Sequence, residues 1–460
     1  MAFIVKSAGL VTTGTTGADL FVVNSGAVAQ STILGLAGND VIQITDGIST
    51  ATSLLVDGAG DKDVVTLSGG LLSGSTVKGG AGADNVDITL TNFNGGILNG
   101  GDGNDTINFS GGVAGTGVSL SAASITLGGG ADILVFSGST GGSKSTFAAG
   151  SGADTITLGL GEISASTVFG GGGADSITVS STGGGGLLIN GDSTENGGGA
   201  DTITFEGRLS SSTINAKGGK DVITVATGGV NGTGSKVLGN AGADVITISG
   251  DVAGSANLIG GGSGNDTITL SGSLGANSTL QGGGGIDVIA FSGAAQSSQI
   301  FGGAGSDTFT YSGAAGAFSG QIAYGAFSES NLSTMDAVNG IGEAGTGAIF
   351  SVSAVTTTLT TGEVGGGAGF SGTTLSVSGY VSGDQFATAG NVTARAALID
   401  GQIATKGATV VFEAGTVNYL FIQGGSTGTA DDLIVNVGTG GIAAAVGITS
   451  GTISQIGRAS

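Results

Sequence analysis

Fourteen aspartates recur at near-fixed spacing through the first two-thirds of this chain. They are Asp19, Asp40, Asp63, Asp84, Asp105, Asp132, Asp154, Asp175, Asp201, Asp221, Asp244, Asp266, Asp287 and Asp307. Successive members stand 20 to 27 residues apart, and 20 to 23 apart in all but two steps. Each closes a glycine-rich stretch and opens a short apolar one. A repeat of this length is one coil of a solenoid, in which each coil buries its apolar face only by stacking on its neighbours.

Alignment on the aspartate gives the plan of the coil. Two places later stand Phe21, Ile42, Val65, Val86 and their equivalents through Phe309; four places later stand Val23, Ile44, Leu67, Ile88 and their equivalents through Tyr311. Both positions are apolar in all fourteen repeats. Alternate residues of a strand share a face, so each aspartate opens a strand that sends two side chains inward. A second strand precedes each loop, with its inward residue seven places before the aspartate, as at Ile33, Val56, Val77, Leu98 and Phe147. The expected coil has two strands, a glycine-rich loop at one edge and a Ser/Gly/Ala turn at the other. The expected fold class is all-β: a parallel β-roll or β-solenoid of about 14 coils over residues 1–311 with an N-terminal cap, then a smaller β-rich domain over 312–460. Two coils are longer, and their extra residues, near Ala114–Ser121 and Asp192–Asn196, are expected to bulge outward as loops.

Composition closes several chemistries. Of 460 residues 100 are glycine, and proline, cysteine, histidine and tryptophan are absent. Glycine at this level without a period would suggest disorder; here it is periodic, and 39% of residues are hydrophobic. Without Cys or His there is no thiol nucleophile, no Ser-His-Asp triad and no zinc site of the Cys/His type. The formal net charge of -22 argues against nucleic acid and anionic membranes as partners, and it favours divalent cations. No run approaches the ~20 apolar residues of a membrane span. Met1 to Thr13 do not read as a secretory signal, so export is expected to use another route. Gly141 to Thr146 resembles a phosphate loop only faintly, because the Gly-Lys-Ser/Thr order is missing.

The loops carry the chemistry. Six match Gly-Gly-x-Gly-x-Asp fully: Gly79 to Asp84 with its fourth-position Gly82, Gly100 to Asp105 with Gly103, Gly170 to Asp175 with Gly173, Gly261 to Asp266 with Gly264, Gly282 to Asp287 with Gly285, and Gly302 to Asp307 with Gly305. Gly58 to Asp63 lacks the fourth-position glycine, and Ala216 to Asp221 carries two lysines. Ca²⁺ takes six to eight oxygens from carboxylates and backbone carbonyls, and glycine lets a loop turn its carbonyls toward one point. Carboxylates ~5 Å apart repel by about 3 kcal/mol at an effective dielectric of 20. A dication between coils turns that repulsion into cross-linking. The metal ligands expected are therefore the fourteen aspartates and the first and fourth glycines of the six full loops. Lys78, Lys217 and Lys220 beside the loops read as solvated charge or as occupants of weak sites.

These loops resemble the RTX (repeats-in-toxin) family, whose repeats bind Ca²⁺ in a parallel β-roll. RTX repeats commonly run in nines and place a calcium loop on both edges. The period near 21 here implies one row of sites on one edge. The segment Thr409 to Gly425, with Asp431 to Val437, resembles the C-terminal modules of cyanobacterial RTX-type surface proteins. That resemblance implies type I secretion and an extracellular, cell-surface location. Within the C-terminal third, strands are expected at Ala348–Val355 and Thr373–Ser378, a short helix at Ala394–Ile403, core positions at Tyr419, Phe421 and Leu433, and at Asp431-Asp432 a turn, in preference to one more cation site.

The function expected is that of a non-enzymatic, calcium-dependent structural protein that self-assembles into an S-layer, sheath or extracellular filament. Its expected partners are copies of itself and cell-surface polysaccharide. An adhesin or ice-binding-like use of an outward threonine face (Thr157, Thr178, Thr204, Thr224, Thr247, Thr269) and a phage virion fibre or decoration role are the alternatives.

Overall fold

The computed structural model describes residues 2–4, 9–23, 29–111, 119–139, 141–161, 163–181, 185–193, 198–313, 318–324, 329–330, 333–339, 349–352, 358–359, 374–375, 380–382, 391–400, 408–414, 416–424, 429–439, 446–449 and 452–456. The fold is a parallel β-solenoid of about 13 turns with a smaller β-rich C-terminal region. Two compact units divide the chain: Met1–Gly228 with Ser235–Asn240, and Gly229–Gly234 with Ala241–Ser460.

In the first unit, the strands that follow each aspartate pair in parallel, coil on coil. Val64–Ser73, Asn85–Asn94 and Thr106–Gly111 stack so that Val65, Val86 and Ile107 are register partners. The strands that precede each loop form the second sheet, as in Leu55–Gly60, Thr76–Ala81 and Ile97–Asp102. Every inward position read from the sequence is buried, from Phe21 and Val23 to Ile223 and Val225. Full burial of a Val, Leu, Ile or Phe side chain is worth about 1.5–3 kcal/mol, so the repeat itself carries the stability. Phe109 and Phe136, one coil apart, stack at 4.1 Å between ring centroids, with Phe93 and Phe147 edge-on to either side.

The edge opposite the glycine loop is more than a turn. Ala51, Leu72, Phe93 and Leu120 form a third inward column in register, and all four are buried. The expected outward loop Ala114–Ser121 therefore ends early: Ser119–Ser121 is a strand paired on both sides, with Leu120 2% exposed, and 112–118 lie outside the described residues. The other expected bulge needs the same correction. Asp192 closes the strand Leu188–Asp192 opposite Gly171 and is buried; 194–197 lie outside the described residues. Gly141 to Thr146 is no phosphate loop, because Gly141–Ser143 and Thr146–Ser151 are strands of the stack.

The second unit opens on the same plan. Val245–Ile248, Thr267–Leu270, Val288–Phe291, Thr308–Tyr311 and Asp336–Asn339 pair successively in parallel. Asp336–Asn339 also pairs in parallel with Leu433–Thr439, the last strand of an antiparallel meander with Ala408–Ala414 and Val417–Ile422. A helix, Val392–Asp400, covers this meander. The Asn391 side chain caps it by accepting from the Ala394 N–H at 2.9 Å. Ala396, Ile399, Val410, Phe412, Phe421 and Ile434 form the local core, with Tyr419 packed against it, and Leu433 is buried. The helix thus begins two residues before the expected Ala394, and 401–407 lie outside the described residues. Strands occupy Ile349–Val352 and Thr374–Leu375 within the two expected stretches; the rest of those stretches lies outside the described residues. Thr429–Asp431 is one 3-10 turn, as expected at Asp431-Asp432. Among the described residues no helix is long and apolar enough to cross a membrane.

Candidate functional site

The aspartates make a ladder. Each sits at the corner where the glycine loop meets the following strand, and each points inward. Within each unit the rule is the same: a carboxylate accepts from the aspartate N–H of the coil before it. Asp19 N–H donates to Asp40 Oδ1 (2.8 Å), Asp40 to Asp63 (2.7 Å), Asp63 to Asp84 (2.7 Å) and Asp84 to Asp105 (2.8 Å). The pattern holds through Asp132, Asp154, Asp175, Asp201 and Asp221. In the second unit it joins Asp244, Asp266, Asp287 and Asp307. All fourteen side chains are at most 3% exposed.

The ladder does not stop at Asp307, as the sequence suggests. Asp307 N–H donates to Asp336 Oδ1 at 2.8 Å. The 29-residue step and the lack of a Gly-Gly-x-Gly-x-Asp loop hide this rung. Asp336 N–H in turn donates to Ser330 Oγ (2.9 Å), and that hydroxyl donates to the Ile434 carbonyl (2.6 Å). A neutral hydroxyl therefore takes the place of the next carboxylate.

The second carboxylate oxygen behaves differently. Oδ2 of Asp40, Asp63, Asp84, Asp105 and Asp132, and of every later rung through Asp307, is buried without a hydrogen-bond partner; the Asp336 carboxyl has the Tyr324 hydroxyl beside it. Burial of a charge without a partner is costly. Burial therefore pushes these acids above the usual carboxylate range: Asp63, Asp201 and Asp287 to about 7, Asp105, Asp154 and Asp221 to about 6, and Asp336 to about 8. Neighbouring rungs add repulsion, as Asp84 and Asp40 do at Asp63. Lys62 offsets it at Asp84.

The loop glycines have separate tasks. The first packs its Cα against the carboxylate. A methyl group on Gly100 would lie 2.5 Å from the Leu127 carbonyl oxygen and 2.6 Å from Asp105 Oδ2. The same point above Gly79 is 2.5 Å from Asp84 Oδ2 and 2.6 Å from the Gly100 carbonyl oxygen. Carboxylate and carbonyl oxygens thus crowd one spot with no donor between them. The fourth glycine supplies the left-handed turn, with φ of +128° at Gly103. Gly82, Gly173, Gly264, Gly285 and Gly305 repeat it, as Gly170, Gly261, Gly282 and Gly302 repeat the first. In the poor loop before Asp63, Asp61 takes the fourth position at φ +69° and accepts from the Gly38 N–H at 2.9 Å. Gly100→Ala is expected to destabilise the fold by about 1–3 kcal/mol through overpacking. Gly172→Ala, with open space around it, is expected to be neutral in the same thermal-unfolding measurement.

This arrangement offers hard oxygen donors and no nitrogen or sulfur, which suits a proton or a dication such as Ca²⁺. Among the described residues no three acidic side chains converge on one point, so any ion here would draw on one or two carboxylates and on loop carbonyls. Lys78 is not in the ladder: its Nζ pairs with Asp57 Oδ2 at 3.4 Å on the outer face.

A second ladder was written in the sequence but is inconspicuous there. Nine places before the aspartate stand Ser31, Ser75, Ser145, Ser166, Ser212, Ser235, Ser278 and Ser298, all buried. Ser166 Oγ accepts from the Ser145 N–H (3.1 Å) and donates to the Ser164 carbonyl (3.1 Å). Ser145 and Ser212 do likewise for Ala123 and Leu187. Serine at this fixed offset was the available signal.

No protein-family model, no curated protein and no solved structure matches the chain.

Proposed function

We propose that this chain is a secreted, calcium-dependent structural protein of the RTX β-roll kind, which self-assembles into an S-layer, sheath or extracellular filament. The observation that carries the reading is the row of buried Oδ2 atoms without donors. A metal-free ladder that uses aspartate only as a hydrogen-bond acceptor would be served better by asparagine, which brings no charge inside. Aspartate stands at every rung, so the charge has a use. Calcium would be held by Asp Oδ2 atoms and by carbonyls of loop glycines such as Gly79 and Gly100. When bound, it supplies the positive charge that the buried carboxylates lack. Export to calcium-rich surroundings by type I secretion follows from the same reading, as does the absence of an enzymatic role.

A second reading rests on the outer face. Thr157, Thr178, Thr204 and Thr224 are register partners in four successive strands, and Thr247 pairs with Thr269. Such a flat row of hydroxyls and methyls suits an adhesive or ice-like surface, and it is compatible with a virion fibre.

Negative-stain imaging and sedimentation of the purified chain test the leading reading. Large ordered assemblies are expected in millimolar calcium, and their dissolution in excess EGTA. Assemblies that persist unchanged in EGTA would refute calcium dependence. Monomers in both conditions would refute self-assembly.

A further inference from the structure

A second buried acidic site lies outside the ladder, at the end of the C-terminal meander. Asp400 is the last residue of the helix Val392–Asp400, and Asp432 follows the 3-10 turn Thr429–Asp431. They are 7% and 0% exposed. Two consecutive residues after the strand Val417–Ile422 hold them side by side. The Gln423 carboxamide donates through Nε2 to Asp400 Oδ1 at 2.9 Å, and the Gly424 N–H donates to Asp432 Oδ1 at 2.8 Å. Gln423 is itself 1% exposed.

Three features make this site different from a hydrogen-bonded turn. Asp432 Oδ2 is buried without a partner. The charges felt by Asp432 are those of Asp400 and Asp431, both negative, with no basic group among them. Asp400 also closes a helix, where the dipole already presents partial negative charge and disfavours an anion. Burial, with Asp400 adding to it, pushes Asp432 up to about 7. The Gly424 Cα lies against the Asp431 carbonyl, which brings a backbone oxygen to the same place.

We propose that Asp400 and Asp432, braced by Gln423 and Gly424, bind one divalent cation of calcium-like chemistry. Two carboxylates, an amide oxygen and a backbone carbonyl are the hard oxygen donors such an ion takes, with water completing the shell. The ion joins the helix, the meander and the 3-10 turn. The site does not depend on the ladder, so either can be right without the other.

Hydrogen exchange of the full chain near pH 8, with CaCl2, with MgCl2 and without either, decides the matter at the Gly424 amide, which the site itself holds. Calcium is expected to slow exchange there by about tenfold or more. Asp432→Asn, which keeps the acceptor for Gly424, is expected to abolish that response. Asp57→Asn, at the outer-face pair with Lys78 and outside both sites, is expected to leave it intact. If Asp432→Asn does not fold, Asp400→Asn serves as the second variant and is expected to lose the response likewise. Equal exchange with and without calcium would overturn the site. So would a full calcium response in Asp432→Asn, or protection gained only on acidification, which would mean a shared proton.

Discussion

Asp154→Ala is expected to destabilise the folded chain by about 2–4 kcal/mol in any buffer, while Asp154→Asn changes sign with calcium. The alanine variant removes the acceptor of the Asp132 N–H, now met at 2.8 Å, and leaves that donor buried and unpaired, at about 1–3 kcal/mol. It also opens a void at a position only 2% exposed, which adds to the loss. Asparagine keeps Oδ1 and so keeps the rung. It removes the buried negative charge, whose acid is pushed up to about 6. Each unit of such a shift is worth about 1.4 kcal/mol. Without calcium near pH 8, Asp154→Asn should therefore stabilise by about 1–3 kcal/mol. With calcium it should destabilise and lose bound ion, because an amide is a poorer ligand than a carboxylate. Chemical denaturation of the three proteins with and without EGTA reads both effects. A stabilising asparagine in both buffers would leave the ladder as hydrogen bonding alone.

The second large effect is on pH. An aspartate whose folded pKa exceeds its unfolded value of about 3.9 binds more protons folded than unfolded. Its contribution is favourable below the unfolded value and is lost as pH rises through the folded one. Asp105, Asp154 and Asp221 lie at about 6, and Asp63, Asp201 and Asp287 at about 7. These acids should therefore stabilise the calcium-free protein most at and below about pH 4, and that stability should be lost steadily between about pH 4 and pH 7. The loss should amount to several kcal/mol, since many rungs titrate together. Bound calcium holds the carboxylates ionised, so melting in excess calcium should be flat or rise across the same interval. Thermal unfolding across this range, in EGTA and in calcium, shows the two curves converging at low pH and separating at high pH. Parallel curves would mean that calcium does not act on these acids.

Much of this was legible because the chain repeats. The apolar residues two and four places after each aspartate fixed the inward face. A one-residue slip would turn all of them outward, and none is turned. The glycines marked the loop, since the first position needs bare space and the second and fourth, as at Gly101 and Gly103, need both bare space and φ above zero. What escaped was signalled by different residue types. Leu72, Phe93 and Leu120 stack in a column twelve places before the next aspartate, an offset masked because residue type varies there, from Ala51 to Phe93 to Gly142. Asp336 lies 29 residues beyond Asp307 and follows no glycine loop, yet register alone brings it under the ladder. Asp192 sits where a glycine stands in the coil before, and it looks like part of an insertion until the pairing with Gly171 places it. Asp400 and Asp432 come together only through the meander, whose hairpins bring residues 32 apart into one corner.

The most direct test is the number of calcium ions bound per chain, measured near pH 8 by equilibrium dialysis with elemental analysis. Several ions per molecule are expected, fewer in Asp154→Asn, with unfolding once they are stripped. A chain that binds less than one ion at millimolar calcium, and melts at the same temperature in EGTA, would show the buried carboxylates to be proton-bearing and the calcium reading to be wrong.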